Sequence, residues 1–323
     1  MSAPGTGMGE FDLIDRYFNR PVKRAALGVG DDCALVVPAP GQHLAVSSDM
    51  LVEGRHFLST VDPRRLGHKA LAVNLSDLAA CGAEPLAFTL ALALPRAEAG
   101  FLAPLSEGLL GLADRHGIEL VGGDTTRGPL NLCVTVFGQV PPGAALLRSA
   151  ARPGDDLWVS GTLGDARLAL EVFRGTVALD GPAFESVRRA MELPEPRVAL
   201  GLALRGVAHA AIDLSDGLVG DLGHILRRSG VGAELALDEL PRSAVLAAQA
   251  PALQQRCLLT GGDDYELLFT APPEARDAVL RAGRQAGVAV TRCGRISKGA
   301  GLRILDAAGR SVTPEERSFD HFA

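Results

Sequence analysis

The stretch that decides the fold runs from Ala70 to Gly82 and reads ALAVNLSDLAACG. Nearly every position is apolar or small, which is typical of a helix buried on almost all sides, and Gly82 is suited to end it. Asp77 stands inside this run with no Lys or Arg within one helical turn. A buried carboxylate is costly unless it is protonated, paired or bound to a cation. Asp77 could therefore be a helix cap, the partner of a distant arginine, or a metal ligand.

The composition is that of a globular protein with an acidic balance. The chain has 323 residues, 47% apolar and 22% charged, and its formal net charge is −6. This length favours two domains, and acids spread throughout argue against a nucleic-acid partner. Small phosphorylated ligands held through divalent cations remain compatible with this charge. The five cysteines are scattered and form no C-x-x-C pair, which predicts reduced thiols in a cytoplasmic protein.

No segment predicts export or insertion into a membrane. The N-terminus lacks a basic region followed by an apolar run, so we expect no signal peptide. The longest apolar stretch, from Pro85 to Pro95, is far too short to span a bilayer. We therefore expect a cytoplasmic protein without a membrane partner.

The first half of the chain alternates between strand-like and helix-like segments. Helices are predicted at 9–20, 64–82 and 101–116. Strands are predicted at 43–49, 87–94 and 132–140, in two short runs within 25–37, and from Glu119 into a glycine-rich turn that ends at Gly128.

A polar segment around Pro153-Gly154 marks a domain boundary, after which the alternation starts again. We predict an N-terminal domain of residues 1–149 and a C-terminal domain of residues 150–323. Mixed elements in both halves predict the α/β (α+β) class with two mixed α/β domains. In the second domain, strands are predicted at 157–160, 232–237, 265–271 and 289–294, and helices at 165–173, 197–206, 218–228 and 273–287.

Acidic residues recur at strand ends and helix starts beside Gly, Ser or Thr. Each alone could be an ordinary turn former or helix cap. Their apolar flanks would nevertheless carry all of them inward, where converging carboxylates repel one another unless divalent cations bind. Oxygen donors favour Mg²⁺, whereas zinc would call for Cys and His. The acidic turns are Gly30-Asp31-Asp32, Ser47-Ser48-Asp49, Ser76-Asp77, Gly123-Asp124-Thr125-Thr126, Asp213-Leu214-Ser215-Asp216-Gly217 and Gly262-Asp263-Asp264.

A polyacidic Mg²⁺ site without an activated nucleophile suits phosphoryl transfer, in which positioning and charge neutralisation supply most of the catalysis. The common nucleotide signatures are absent, because there is no G-x-x-x-x-G-K-[ST] and Gly28-Val29-Gly30 lacks the third glycine of the dinucleotide fingerprint. The Gly161-Thr162-Leu163-Gly164 loop could approach a phosphate or be an ordinary strand-to-helix turn.

Six motifs carry a family resemblance. They are GVGDDCA at 28–34, SSD at 47–49, KALAVNLSDLAA at 69–80, GGDTTRG at 122–128, IDLSDGL at 212–218 and GGDDYEL at 261–267. In this order they resemble the thiamine-monophosphate kinases of the aminoimidazole-ribotide-synthetase-like superfamily, and the resemblance extends from Gly9 to Phe322.

The resemblance implies an N-terminal α/β domain that binds ATP and pairs in a homodimer, with a C-terminal α/β domain facing it. It implies transfer of the γ-phosphoryl group of ATP to thiamine monophosphate, giving thiamine diphosphate. The acceptor is already a phosphate monoester, largely ionised at neutral pH, so we assign no catalytic base.

The resemblance also implies roles for individual residues. The ligands of several Mg²⁺ ions would be Asp32, Ser47, Ser48, Asp49, Asp77, Asp124, Asp213 and Asp216, with Asp77 shared between ions. The ATP contacts would be Gly123, Asp124, Arg148 and Ser215, and the substrate contacts His56, Asp263 and Phe319. Structural alternatives are a solvated linker arginine for Arg148, a structural histidine for His56, and packing on the core for Phe319.

Two positions depart from the family pattern. Asp263 stands where Glu is usual, which shortens the reach of the carboxylate by one methylene, and Phe319 stands where Tyr or Trp is often found. Three other kinds of protein would carry different features. A selenophosphate synthetase would need a reactive Cys or selenocysteine near the N-terminus, and a hydrogenase-maturation protein should end in a cysteine-bearing tail. A non-catalytic nucleotide-binding scaffold should have lost metal ligands, whereas the acidic set here is intact.

Overall fold

A computed structural model describes residues 9–314, 316 and 318, which fall into two compact units. Of these residues, those up to Leu75 and those from Pro85 to Gln139 form the first unit. Those from Ser76 to Glu84 and from Val140 onward form the second unit. Both units combine helices with a sheet, which confirms the mixed α/β class. The domain limits 1–149 and 150–323 stay a prediction.

Helices and strands alternate along the described residues. The helices are α1 (Glu10–Tyr17), α2 (Pro63–Cys81), α3 (Ala99–His116), α4 (Asp165–Phe173), α5 (Gly181–Glu192), α6 (Val198–Ala203), α7 (Leu218–Ser229), α8 (Ala244–Ala247), α9 (Pro251–Thr260) and α10 (Arg276–Ala286). The strands are β1 (His43–Val52), β2 (Glu84–Leu94), β3 (Glu119–Arg127), β4 (Asn131–Val140), β5 (Asp156–Ser160), β6 (Ala210–Asp213), β7 (Gly232–Ala236), β8 (Leu267–Ala271), β9 (Val290–Ser297), β10 (Gly301–Leu305) and β11 (Ser311–Val312).

Helix α2 is the buried helix that the sequence predicts. Its leucines from Leu66 to Leu78 are at most 1% exposed. The helix ends at Gly82, which has a φ of +64°, and the Ala83 N–H donates to the Leu78 carbonyl oxygen at 2.7 Å. A left-handed glycine with this bond is the usual way to satisfy the last carbonyls of a helix. The predicted end of the helix is therefore confirmed.

The sheet of the first unit has four strands in the order β1-β4-β2-β3. Strands β2 and β3 are parallel, and Asp124 lies opposite Ala91 in their register. Strands β1 and β3 are consequently the two edges of this sheet.

Glycines allow α3 to approach the first turns of α2 closely. A Cβ atom on Gly67 would lie 2.0 Å from the carbonyl oxygen of Leu105, and one on Gly108 would lie 1.8 Å from that of Arg64. Any side chain at either position would therefore force the two backbones apart.

The sheet of the second unit has seven strands in the order β11-β10-β7-β9-β5-β8-β6. Its inner strands are buried on both faces. Leu157 and Val159 of β5 lie on one face and are 0% exposed, and Trp158 of β5 and Phe269 of β8 lie on the other and are 5% and 0% exposed. Strand β6 is an edge and pairs with β8 in antiparallel register, Asp213 opposite Leu267. The acidic end of β6 therefore lies where β8 begins.

Several elements differ from the sequence-based expectation. The two strand-like runs within 25–37 form only isolated bridges, such as that between Leu27 and Leu35, and no named strand. Helices α5, α8 and α9 and strands β6, β10 and β11 are not among the predicted elements. Helices α5 and α9 begin at Gly181-Pro182 and Pro251, which resemble turns, and the other four elements are too short to show a clear period.

Candidate functional site

Asp77 lies near the C-terminal end of α2, four residues before the helix ends at Cys81. It is half-buried and cannot be a helix N-cap, because α2 begins at Pro63. The end of α2 is held firmly. The Leu146 N–H donates to the Cys81 carbonyl at 3.0 Å, and a Cβ on Gly201 of α6 would lie 2.0 Å from the Ala79 carbonyl oxygen. These contacts fix where Asp77 is presented.

The end of β6 meets α2 beside Asp77. Asp213 is only 5% exposed, and the Ser76 hydroxyl donates to its Oδ2 atom at 2.8 Å. Two of the acidic turns singled out in the sequence, Ser76-Asp77 and Asp213–Gly217, are therefore neighbours in the second unit.

The loop after Asp213 is organised by a carboxylate that none of the sequence motifs identifies. Asp221, in the first turns of α7, accepts hydrogen bonds at Oδ2 from the backbone N–H groups of Ser215, Asp216 and Gly217, each at 3.1 Å. Burial, and then the Asp216 carboxylate, raise the pKa of Asp221 to about 7, while the three N–H groups act in the opposite direction. The sequence signal for Asp221 is its place as an acid in the first turn of a helix, α7, that begins directly after Gly217.

The loop that carries Asp263 pairs with the same segment through its main chain. The Asp263 N–H donates to the Ser215 carbonyl at 2.7 Å, and the Tyr265 N–H to the Leu214 carbonyl at 2.8 Å. Asp263 and Tyr265 have φ angles of +65° and +50°, which residues other than glycine rarely adopt. Such strain is held only where surrounding contacts determine it and clusters at functional sites.

Two buried carboxylates, those of Asp264 and Glu266, follow Asp263 in the same segment. Burial raises the pKa of Asp264 well above its usual range, and the carboxyl group accepts the Gly164 N–H at 2.9 Å. Glu266 binds the Arg197 guanidinium with both oxygens and also accepts the Ser160 hydroxyl. A Cβ on Gly161 would strike the Glu266 carboxylate. The turn at 161–164 therefore packs against these carboxylates through Gly161 and Gly164.

In the first unit, strand alternation separates the predicted ligands of β1. Ser47 and Asp49 point to one face of the sheet, and the Asp49 N–H donates to the Asn74 side chain of α2 at 3.0 Å. Ser48 points to the opposite face, where its hydroxyl contacts Thr135 Oγ1 at 2.9 Å and the Val134 carbonyl at 3.1 Å. Strand alternation therefore places the Ser48 side chain on the face opposite Ser47 and Asp49.

Gly123 and Asp124 lie on β3, at the other edge of this sheet. A Cβ on Gly123 would lie 1.9 Å from the Leu90 carbonyl oxygen, so only glycine fits there. Three strand spacings, about 14 Å, separate β3 from β1. Asp124 is exposed, as is Asp32 in its loop. This unit therefore presents Asp124 apart from Asp49.

His56 lies in the turn that follows β1. Its Nδ1 atom accepts the Val52 N–H at 2.9 Å. A ring nitrogen that accepts a hydrogen bond carries no proton, so the neutral ring carries its proton on Nε2. His56 is thus set as a donor through Nε2.

Arg148 and Ser215 lie at opposite ends of α7. The Ser229 hydroxyl, at the C-terminal end of α7, donates to the Arg148 carbonyl at 2.9 Å, whereas Ser215 precedes the N-terminal end. Twelve helical residues span about 18 Å. The main chain therefore separates Arg148 from Ser215, but the charge of the exposed Arg148 side chain and that of Asp216 both act on His224 between them.

The tail enters the second unit beside this loop. Glu316 pairs with Arg167 and Arg256, and the Ser318 hydroxyl accepts the Gly220 N–H at 2.9 Å. Phe319, the predicted thiamine contact, lies outside the described residues.

The donor chemistry fits Mg²⁺. The predicted ligands offer only carboxylate and hydroxyl oxygens, and across residues 9–314, 316 and 318 no three His, Cys, Asp or Glu side chains converge on one point. Magnesium sites that act on phosphates use one or two carboxylates and complete the shell with water and phosphate oxygens. Asp77 and Asp213 beside Ser76 can supply such a pair.

Among the residues that the structure describes, no helix is long and apolar enough to cross a membrane.

Known proteins match both units. Residues 30–140 match the N-terminal domain of AIR synthase related proteins, and residues 152–306 match their C-terminal domain. The chain is 46% identical over 323 residues to the thiamine-monophosphate kinase of Salmonella typhimurium, with 98% of each chain covered. The crystal structure of thiamine-monophosphate kinase from Stenotrophomonas maltophilia K279a matches with a TM-score of 0.84 and 46% identity, over 90% of this chain and 92% of that one. AaThiL complexed with AMPPCP and TMP matches with a TM-score of 0.77 and 31% identity, over 88% and 89% of the two chains. On this evidence the chain belongs to the thiamine-monophosphate kinase family and contains both domains of the AIR synthase related proteins.

Proposed function

We propose that this protein is a kinase that transfers the γ-phosphoryl group of ATP, directly and in line, to thiamine monophosphate. The products are thiamine diphosphate and ADP, which makes this the last step of thiamine diphosphate biosynthesis. The observation that carries the proposal is the 46% identity to the kinase of Salmonella typhimurium over 98% of both chains. The binding of AMPPCP and TMP by AaThiL supports the same pair of substrates.

Several Mg²⁺ ions are proposed to be held by the predicted carboxylate and hydroxyl ligands. When bound, they would neutralise the charges of the donor and acceptor phosphates as these approach. Asp77 and Asp213 are the ligands best supported by geometry, because the Ser76–Asp213 hydrogen bond joins their two elements. Asp216 adds a carboxylate from the loop held by Asp221.

The remaining residues would position the substrates. Ser215 offers a hydroxyl to ATP and Arg148 offers a fork suited to phosphate oxygens. His56 presents its Nε2 proton to the substrate, and Asp263 contributes a carboxylate from a strained and therefore well-determined loop. No residue is needed to remove a proton from the acceptor, because a phosphate monoester is largely ionised at neutral pH.

A homodimer is proposed on the exposed face of β1. Leu44, Val46 and Met50 alternate along this edge strand and are 46%, 57% and 54% exposed. An edge strand with a row of exposed apolar side chains is a ready site for pairing with another chain. A second copy offers an identical strand, and a two-fold axis makes the contact self-complementary.

A cytoplasmic location is proposed from the cysteines. None of the five forms a disulfide, and Cys33 is exposed, which suits a reducing compartment. The net charge of −6 argues against a nucleic-acid partner.

The deciding experiment combines the purified protein with Mg²⁺, ATP and thiamine monophosphate and measures thiamine diphosphate and ADP. We expect both products in equal amounts, and none when EDTA replaces Mg²⁺. Binding of ATP without formation of thiamine diphosphate would instead identify a non-catalytic nucleotide-binding scaffold. A parallel reaction without the thiamine substrate controls for contaminating ATPase activity.

A further inference from the structure

The carboxylate of Asp221 is a buried group to which the proposed reaction assigns no role. Asp221 is 3% exposed, and its Oδ2 atom accepts three consecutive backbone N–H groups, those of residues 215 to 217. Three donors from successive residues curve the main chain around one oxygen. The conformation of this loop therefore depends on a single acceptor.

The bonds of Asp221 go beyond the capping of α7. A cap satisfies the first N–H groups of its own helix. Gly217 is the N-cap residue of α7, but Ser215 and Asp216 precede the helix. Two of the three bonds therefore hold residues whose side chains are the predicted ATP and metal contacts.

The loop has little room to relax. Gly217 has a φ of +115°, and a Cβ at this position would lie 2.9 Å from the main chain of Thr260 in α9. On its other side, the Ser215 carbonyl accepts the Asp263 N–H at 2.7 Å. A shift of residues 215–217 would thus be transmitted to Asp263.

We propose that Asp221 is a positioning residue: its carboxylate fixes the main chain of residues 215–217 so that Ser215 and Asp216 meet a divalent cation and the phosphates of a nucleotide. Through the Ser215 carbonyl it also sets the position of Asp263. This role rests on the proposed function for the identity of the reaction, but the binding of metal and nucleotide can be measured without turnover.

The test compares wild type with D221A and D221N. The loss of free Mn²⁺ signal in electron paramagnetic resonance, with and without AMPPCP, reports metal affinity, and kinase assays report kcat and the KM for ATP. Loss of a group that orients metal ligands costs about 10–100-fold in metal affinity or activity, and we expect this loss for D221A. We expect a loss of about threefold to tenfold for D221N, because an amide oxygen is a weaker acceptor than a carboxylate.

The matched control is D155N. Asp155 is also 3% exposed and accepts a backbone N–H, that of Arg152 at 3.0 Å, together with the Thr270 hydroxyl. We expect D155N to lower the thermal midpoint and to leave the Mn²⁺ and AMPPCP affinities at wild-type values.

Two outcomes would overturn the proposal. Folded D221A with wild-type Mn²⁺–AMPPCP affinity and KM would show that Asp221 acts on stability alone. If D221A does not fold, wild-type affinity in D221N leads to the same conclusion. Weakened Mn²⁺–AMPPCP binding in a protein that makes no thiamine diphosphate would support the positioning role while the proposed kinase activity fails.

Discussion

Asp77 is the residue on which the proposed chemistry most directly depends. It stands next to Ser76, whose hydroxyl is bonded to Asp213, and near an end of α2 that Leu146 holds through the main chain. The main chain that carries Asp77 is therefore well anchored, which limits the backbone motion that binding of a cation would have to restrict.

We expect Asp77→Asn to lower turnover by about 100-fold or more, because a neutral amide cannot balance the charge of a cation between phosphates. The half-buried position tolerates an isosteric amide, so the free energy of unfolding should change by less than about 1 kcal/mol. Thiamine diphosphate formation and urea unfolding are the measurements. Asp114→Asn, at an exposed carboxylate on α3, is the control and should leave both unchanged. Near-normal turnover in Asp77→Asn would make Asp77 a structural residue.

The residues that a sequence motif can identify are those whose neighbours along the chain are informative. Asp77 stands out because an apolar helix surrounds it, and Asp213 because a buried strand ends there. The roles of Asp221 and Glu266 could not be predicted this way, since the partners of Asp221 are main-chain N–H groups and that of Glu266 is a distant arginine. Burial and spatial partners of this kind exist only in the folded chain.

At the scale of elements, close packing against α3 places the first turns of α2 in the first unit. The two backbones meet at Gly67 and Gly108, where a side chain would lie within 2.0 Å of a carbonyl oxygen of the other helix. Glycine destabilises a helix relative to alanine. The glycines at 67 and 108 are therefore explained by the close approach of the α2 and α3 backbones.

We expect Gly108→Ala to destabilise the protein by about 1–3 kcal/mol, because the new methyl group would lie 1.8 Å from the Arg64 carbonyl oxygen and push the helices apart. Gly111→Ala is the matched control on the same helix, since nothing lies within 4 Å of its Cβ position. That control should stabilise the protein by about 0.5–1 kcal/mol through helix propensity. Urea unfolding measures both. Equal effects of the two substitutions would contradict the packing argument.

The elements that sequence patterns predict well are α2, whose run is apolar at nearly every position, and the amphipathic helices α3 and α4. The run at 25–37 is apolar and so predicts two strands, but it pairs only locally, between Leu27 and Leu35. The separation of Ser48 from Asp49 follows from strand alternation and could have been predicted. The distance between β1 and β3 could not, because strand order is a property of the whole sheet.

At the scale of the whole molecule, a buried carboxylate paired with two exposed arginines makes stability depend on pH. Asp156, at the start of β5, is 3% exposed and is bound by Arg276 and Arg292. The hydrogen bond from Arg276 is the main cause that holds the pKa of Asp156 below its usual value, and burial opposes it. The charge of Arg276 and the hydrogen bond and charge of Arg292 lower this pKa further. Because the pKa is lower in the folded state, the stabilisation is present above the unfolded pKa, about 4, and is lost as pH falls through the folded pKa.

We therefore expect Asp156→Asn to lower the free energy of unfolding by about 1–3 kcal/mol at pH 7, where the charged pair is intact in wild type. The difference between the two proteins should shrink as pH falls below about 4, because wild type then loses the same interaction. Urea unfolding at several pH values measures this gap. A gap that stays constant from pH 7 to pH 3 would show that the Asp156 charge contributes nothing to acid stability.

The exposed apolar side chains of β1 predict that the protein forms a dimer. We expect Val46→Lys to convert a dimer to monomers in sedimentation velocity, because it places a charge in the middle of the apolar row formed by Leu44, Val46 and Met50 on edge strand β1. Leu280→Lys is the matched control, since Leu280 is 39% exposed on α10 of the second unit and is not part of that row. It should leave the sedimentation coefficient unchanged. Two results would exclude β1 as the interface. One is a wild-type protein that is monomeric at micromolar concentration, and the other is a dimer that Leu280→Lys dissociates and Val46→Lys does not, because a dimer formed on β1 must respond to a charge placed on β1.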